Sequence, residues 1–137
     1  MNNAYQKYKK TSVQSASREK LLLMMYEGAI KFVKKAMIAC EKNDLADRGL
    51  YIGKAYDVIL ELNNTLDHDL GGEVAVNLEQ LYMFMTDQLT KANIEGKVEP
   101  LEEVLKLLTT LYDAWKQAVE QLKKDQAAVG GEGSVES

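Results

Sequence analysis

Apolar residues recur at helical spacing in four stretches of this chain, and in two of them they exceed what one buried stripe requires. The first stretch runs from Ser17 to Cys40 and opens with Leu21-Leu22-Leu23-Met24-Met25-Tyr26. Successive helical residues are about 100° apart, so six apolar residues in a row point in every direction. Ser17 suits an N-cap, which puts that run in the first turns of a helix. Further on, Met25, Ala29, Phe32, Ala36 and Cys40 form one face, and Leu23, Tyr26, Ile30, Val33 and Met37 another. Lys31, Lys34, Lys35 and Glu41 leave only a narrow wet strip. A helix apolar nearly all round is either enclosed in a large core or divides its surface between a core and a partner. A chain of 137 residues has little room for the first.

The first helix ends near Lys42-Asn43, and Asp44 caps a second. There Ile52, Ala55, Ile59, Leu62 and Leu66 keep the stripe, and Tyr56 widens it. Gly49 and Gly53 share a side and permit close approach of another backbone. Asp67-His68-Asp69-Leu70-Gly71-Gly72 reads as a stop, with glycine suited to the left-handed position after a helix. A third helix is predicted from about Glu73 to Asn93, with Val74, Leu78, Leu81, Tyr82, Met85, Leu89 and Ala92 as its stripe. Met83 and Phe84 make Leu81 to Met85 apolar on all sides, as either a wide core stripe or a partner surface. Gly96 ends that helix, and Glu99-Pro100 opens the fourth. Its stripe is Leu101, Leu105, Leu108, Tyr112, Trp115, Val119 and Leu122, widened by Val104, Leu111 and Ala118. Short connections make neighbouring helices antiparallel, so the expected fold is all-α, an up-down-up-down four-helix bundle over residues 17–125. Residues 1–16 are polar apart from Tyr5, Tyr8 and Val13, and are expected to be a flexible arm; residues 126–137, rich in Gly, are expected to be a disordered tail. Tyr5 and Tyr8 would share one side of a helical turn, either anchoring the arm in a groove or standing in a frayed terminus.

Charge changes this picture only modestly. With 17 basic and 21 acidic residues the net charge is −4, which argues against nucleic acid as a main partner. Residues 1–42 hold 9 basic and 3 acidic residues, a net +6, and the remainder is −10, as for a basic helix packed on acidic neighbours. No run approaches the ~18 apolar residues of a membrane span, and Leu21 to Tyr26 lacks the length and cleavage site of a signal peptide. A cytosolic location is therefore expected.

Chemistry is sparse. One cysteine excludes an internal disulfide and a Cys-based zinc site, and Cys40 reads as a small core residue. Neither a metal site nor a cofactor is expected. His68 is the only histidine; Thr65 stands three residues before it, where a bundle di-metal site needs glutamate and a second such pair. A phosphotransfer histidine would sit within a helix and be followed by His-x-x-Lys-Gly spacing, which His68-Asp69-Leu70-Gly71-Gly72 does not provide. No catalytic residues are assigned, and the chain is not expected to be an enzyme.

Taken together, the motifs resemble a known family. Tyr5-x-x-Tyr8, Val13, Ser17 and Lys20-Leu21-Leu22-Leu23-Met24-Met25-Tyr26-Glu27-Gly28-Ala29-Ile30 are similar to the opening signature of the flagellin-specific flagellar secretion chaperones. Gly71-Gly72-Glu73-Val74-Ala75, Asn77-Leu78, Leu81-Tyr82, Met85, Leu89 and Ala92-Asn93 resemble a second signature, and Trp115 falls where that family often has tryptophan. Arg18 departs from the proline that many members have there. The resemblance implies a cytosolic chaperone that binds the disordered C-terminal segment of flagellin. It would prevent premature polymerisation and deliver its client to the cytoplasmic part of the flagellar type III export gate. Tyr5, Tyr8, Met24 and Tyr26 are expected flagellin contacts from matched motif positions, and Ile52, Tyr56, Tyr82 and Phe84 from the apolar surplus. The alternative is a structural bundle whose extra apolar faces form a homodimer, weak or stable, without a client.

Overall fold

The computed structural model describes residues 18–136, with side chains as far as Ala128, so the arm of residues 1–16 with Tyr5 and Tyr8 lies outside the described residues. Four helices account for nearly all of it: α1 (Arg18–Glu41), α2 (Leu45–Asn64), α3 (His68–Glu95) and α4 (Glu99–Glu136). No strand occurs among the described residues. Met24–Thr109 make one compact unit, and the described part of another is 18–23 with 110–136.

Within 24–109 each turn is set by a local residue. Asn43 takes a positive φ of 56°, which asparagine tolerates, and the chain then re-enters a helix at Asp44. The Asp44 Oδ1 accepts the Asp47 N–H at 3.0 Å, the N-cap bond expected of it. Asp67 caps α3 in the same way, accepting the N–H groups of Asp69 and Leu70 at 3.0 Å. The stretch expected to be a stop thus contains a helical turn of its own. The break falls at Gly72, whose φ of 51° and ψ of −122° interrupt the helix before it continues from Glu73. Gly96, with φ 68° and ψ 28°, closes α3, and its N–H reaches the Ala92 carbonyl at 2.8 Å. The Val98 carbonyl then accepts from Leu101 and Glu102, beginning α4, where the N–H missing from Pro100 is one the helix would not use.

Contacts along the helices fix their directions. Tyr26 meets Tyr82 and Cys40 meets Gly96, each pair 56 residues apart, so α1 and α3 run parallel. Arg48, at the start of α2, donates from Nη2 to the Asn93 carbonyl at the end of α3, so these two run antiparallel. Gln88 of α3 donates to Glu103 of α4 across the short connection. The result is the up-down-up-down order expected from the loop lengths.

The core of this unit takes Tyr26, Ala29, Val33 and Ala36 from α1; Ile52, Ala55, Ile59 and Leu62 from α2; Leu78, Tyr82, Met85 and Leu89 from α3; and Leu101, Val104 and Leu108 from α4. The α1 core line runs between the two faces read from sequence and draws on both. Met25 and Phe32 on one side, and Ile30 and Met37 on the other, are left half-buried. Gly49 and Gly53 are not forced by crowding: a Cβ at Gly49 would lie 3.9 Å from Asn93 Oδ1, and one at Gly53 would meet nothing.

In the other unit Val119 is buried, Leu111, Tyr112 and Trp115 are half-buried, and Leu21, Leu22 and Leu23 are half-buried. The helix continues to Glu136, past Leu122 where the apolar register ends. Residues 120–128 are exposed throughout.

Candidate functional site

The residues singled out from sequence separate into three groups. Tyr26, Ile52 and Tyr82 point inward and are buried. None of the three offers surface in this structure, because the core line of each helix passes through it. Met24 and Tyr56 are half-buried. Phe84 is 44% exposed and its neighbour Met83 is 47% exposed.

The buried pair has its own chemistry. The Tyr26 and Tyr82 hydroxyls share a hydrogen bond of 2.5 Å inside the core. Burial foremost, then the Tyr26 phenol and the hydrogen bond to it, pushes the Tyr82 phenol well above the ordinary tyrosine range. Both rings contribute apolar area, and one hydroxyl donates to the other. A buried hydroxyl without a partner would cost about 1–3 kcal/mol. The pair joins α1 to α3 inside the core.

The outward face of α3 carries more apolar area than a solvated helix requires. Val76, Met83 and Ile94 are exposed at spacings of seven and eleven residues, which place them within about 20° of one line. Phe84 projects one residue further round, on the side where Gln88 bonds to α4. On α2, Leu50 and Leu60 are also exposed. Sequence reasoning found Met83 and Phe84 but missed Val76 and Ile94, whose signal was their common phase with Met83. Single exposed apolar residues are ordinary, and exposed Asp87 stands between Met83 and Ile94 on this side, so Met83 and Phe84 are the two that adjoin.

His68 Nε2 lies 3.3 Å from Glu79 Oε2, and both side chains are about half exposed. No cluster of three or more His, Cys, Asp or Glu side chains suited to a metal ion occurs among the described residues. No helix among them is long and apolar enough to cross a membrane.

An all-helical module of four antiparallel helices, with its core complete and apolar side chains still exposed on α2 and α3, belongs to the class of helical bundle proteins. Comparison with known proteins narrows the class. The family described as flagellar protein FliS matches residues 1–122. The flagellar secretion chaperone FliS of Bacillus subtilis is 35% identical over 131 residues, spanning 96% of this chain and 97% of its own length. That of Vibrio cholerae is 36% identical over 121 residues, 85% of this chain and 89% of its own. That of Salmonella typhimurium is 36% identical over 108 residues, 78% and 80% of the two chains. The chain belongs to the FliS family of flagellar secretion chaperones.

Proposed function

We propose that this protein is the export chaperone of a flagellin. It binds the disordered C-terminal segment of its client in the cytosol, prevents premature polymerisation, and hands the client to the cytoplasmic part of the flagellar type III export gate. The observation that carries this reading is the apolar surface left over on α3, centred on Met83 and Phe84, in a chain of this family. A disordered segment that folds on binding incurs an ordering cost of ~2–5 kcal/mol and typically buries ~1,000–3,000 Å². A helical client can offset that cost by laying its apolar side along Val76, Met83, Phe84 and Ile94. Methionine adapts to differently shaped helix faces. Met24 and Tyr56 contribute edges, while Tyr26, Ile52 and Tyr82 act from beneath as the floor. Tyr5 and Tyr8 contribute through the arm.

The test is calorimetric titration with a peptide from the C-terminal end of the organism's own flagellin, followed by far-UV circular dichroism. Tight one-to-one binding, a gain of helix and a negative heat-capacity change are expected. Absence of binding by the folded protein would refute the reading. Concentration-dependent sedimentation as a stable dimer would then bring forward a structural bundle without a client.

A further inference from the structure

We infer that the α1–α2 face carries a second docking surface, separate from the α3 line, which takes an acidic amphipathic helix of a partner protein. The centre is a reciprocal arrangement of two rings and two ammonium groups. Phe32 of α1 and Tyr51 of α2 stack with centroids 6.4 Å apart and planes inclined by 21°. Lys35 of α1 reaches across to the Tyr51 ring, its Nζ 5.2 Å from the centroid. Lys54 of α2 reaches back over Phe32 at 5.6 Å and over Tyr51 at 5.9 Å.

Two like charges are thus drawn onto one ring pair. Each is held by ring quadrupoles, which position a cation without neutralising it. Neither lysine forms an ion pair among the described residues, and the same holds for Lys31 one turn before Lys35. The chain is rich in carboxylates elsewhere, with a net −10 beyond residue 42, yet among the described residues none pairs with these three ammonium groups. A row of carboxylates on a partner supplies the missing countercharge and relieves the repulsion among them. The apolar requirement is met too. Ile38 is 52% exposed and lies on the Lys31–Lys35 side of α1, while Phe32 and Tyr51 are half-buried. Cations interspersed with apolar area match a helix bearing Asp or Glu beside Leu or Ile. Because the rings already hold Lys35 and Lys54 in place, less side-chain freedom is lost on docking. Duplex nucleic acid and an anionic bilayer are poorer occupants. Both present charge over a wide area to a molecule whose net charge is −4.

The probe is a blocked, fluorescein-labelled amphipathic helical peptide with Glu on its polar side and Leu on its apolar side. A second peptide carries Gln for Glu. Fluorescence anisotropy with the full chain should show binding of the Glu peptide that weakens with salt, and much weaker binding of the Gln peptide. K35Q/K54Q should bind the Glu peptide about tenfold more weakly, since two surface charge pairs are lost. Amide chemical-shift changes on the unsubstituted protein should centre on residues 31–38 and 51–54. The flagellin peptide should not displace the probe, and the probe assay is unaffected if that peptide does not bind. Equal affinity of the Glu and Gln peptides, equal affinity of the double variant, or shifts confined to α3 around Met83 would each overturn the inference. So would preference for a duplex oligonucleotide or for phosphatidylserine vesicles over the Glu peptide.

Discussion

Gly96 occupies the left-handed region at the end of α3, and a Cβ there would come within 2.9 Å of Arg48 Nη1. The same Arg48 donates to the Asn93 carbonyl at 3.0 Å, placing a cation at the negative end of α3. Gly96→Ala therefore suffers twice, from backbone strain and from displacement of that guanidinium. It should lose about 1–2 kcal/mol, seen as a lower urea midpoint at an unchanged slope. Tyr82 makes a different prediction. Its phenol is raised above the unfolded value of 10.0, so the folded state holds its proton where the unfolded state releases it. Stability from this group is fully present below pH 10.0 and is lost as pH climbs above it toward the folded value. Chemical denaturation across alkaline pH should show that decline, and Tyr82→Phe should remove its share of the slope. At neutral pH the same substitution removes the hydrogen bond between the two hydroxyls and should cost about 0.5–1.5 kcal/mol.

At the scale of the element, caps and stripes behave differently from faces. Asp44 is readable as a cap because a polar gap precedes a clean stripe. Asp67 is harder to read, because two glycines follow it and the helical turn between them is one that only the structure shows. Asp67→Ala removes the acceptor for two N–H groups and should cost about 1 kcal/mol in urea unfolding. The α3 face follows the opposite rule. Met83→Ser with Phe84→Ser alters exposed positions, so stability should change by only about 0.5 kcal/mol per site. Binding of the flagellin peptide should weaken tenfold or more, as when central apolar anchors of an interface are truncated. Calorimetry on the folded double variant separates the two effects.

For the molecule as a whole, four apolar stripes and three short connections were enough to read four antiparallel helices. The surplus on α3 was also legible, because five consecutive apolar residues cannot all face inward. The phase of α1 was not. Its sequence is apolar on nearly every side, so spacing alone leaves its core line undecided. The decision comes from Tyr82, 56 residues away, whose hydroxyl pairs with Tyr26 and turns that residue inward. Ile52 and Tyr82 lie on the stripes read from sequence and are buried, whereas Val74, on the same α3 stripe two residues after Gly72, is 60% exposed. The ring pair of Phe32 and Tyr51 escaped notice for a related reason: it joins two helices, and neither residue stands out on its own. One feature at the far end of α1 also provides a clock. Cys40, the chain's single cysteine, is 8% exposed, and its thiol donates to the Gly96 carbonyl at 3.3 Å. A thiol reagent can reach it only when the joint between the ends of α1 and α3 opens. Its labelling rate then reports the fraction of time the joint stands open, on an otherwise unaltered protein, and whether a bound client lowers it.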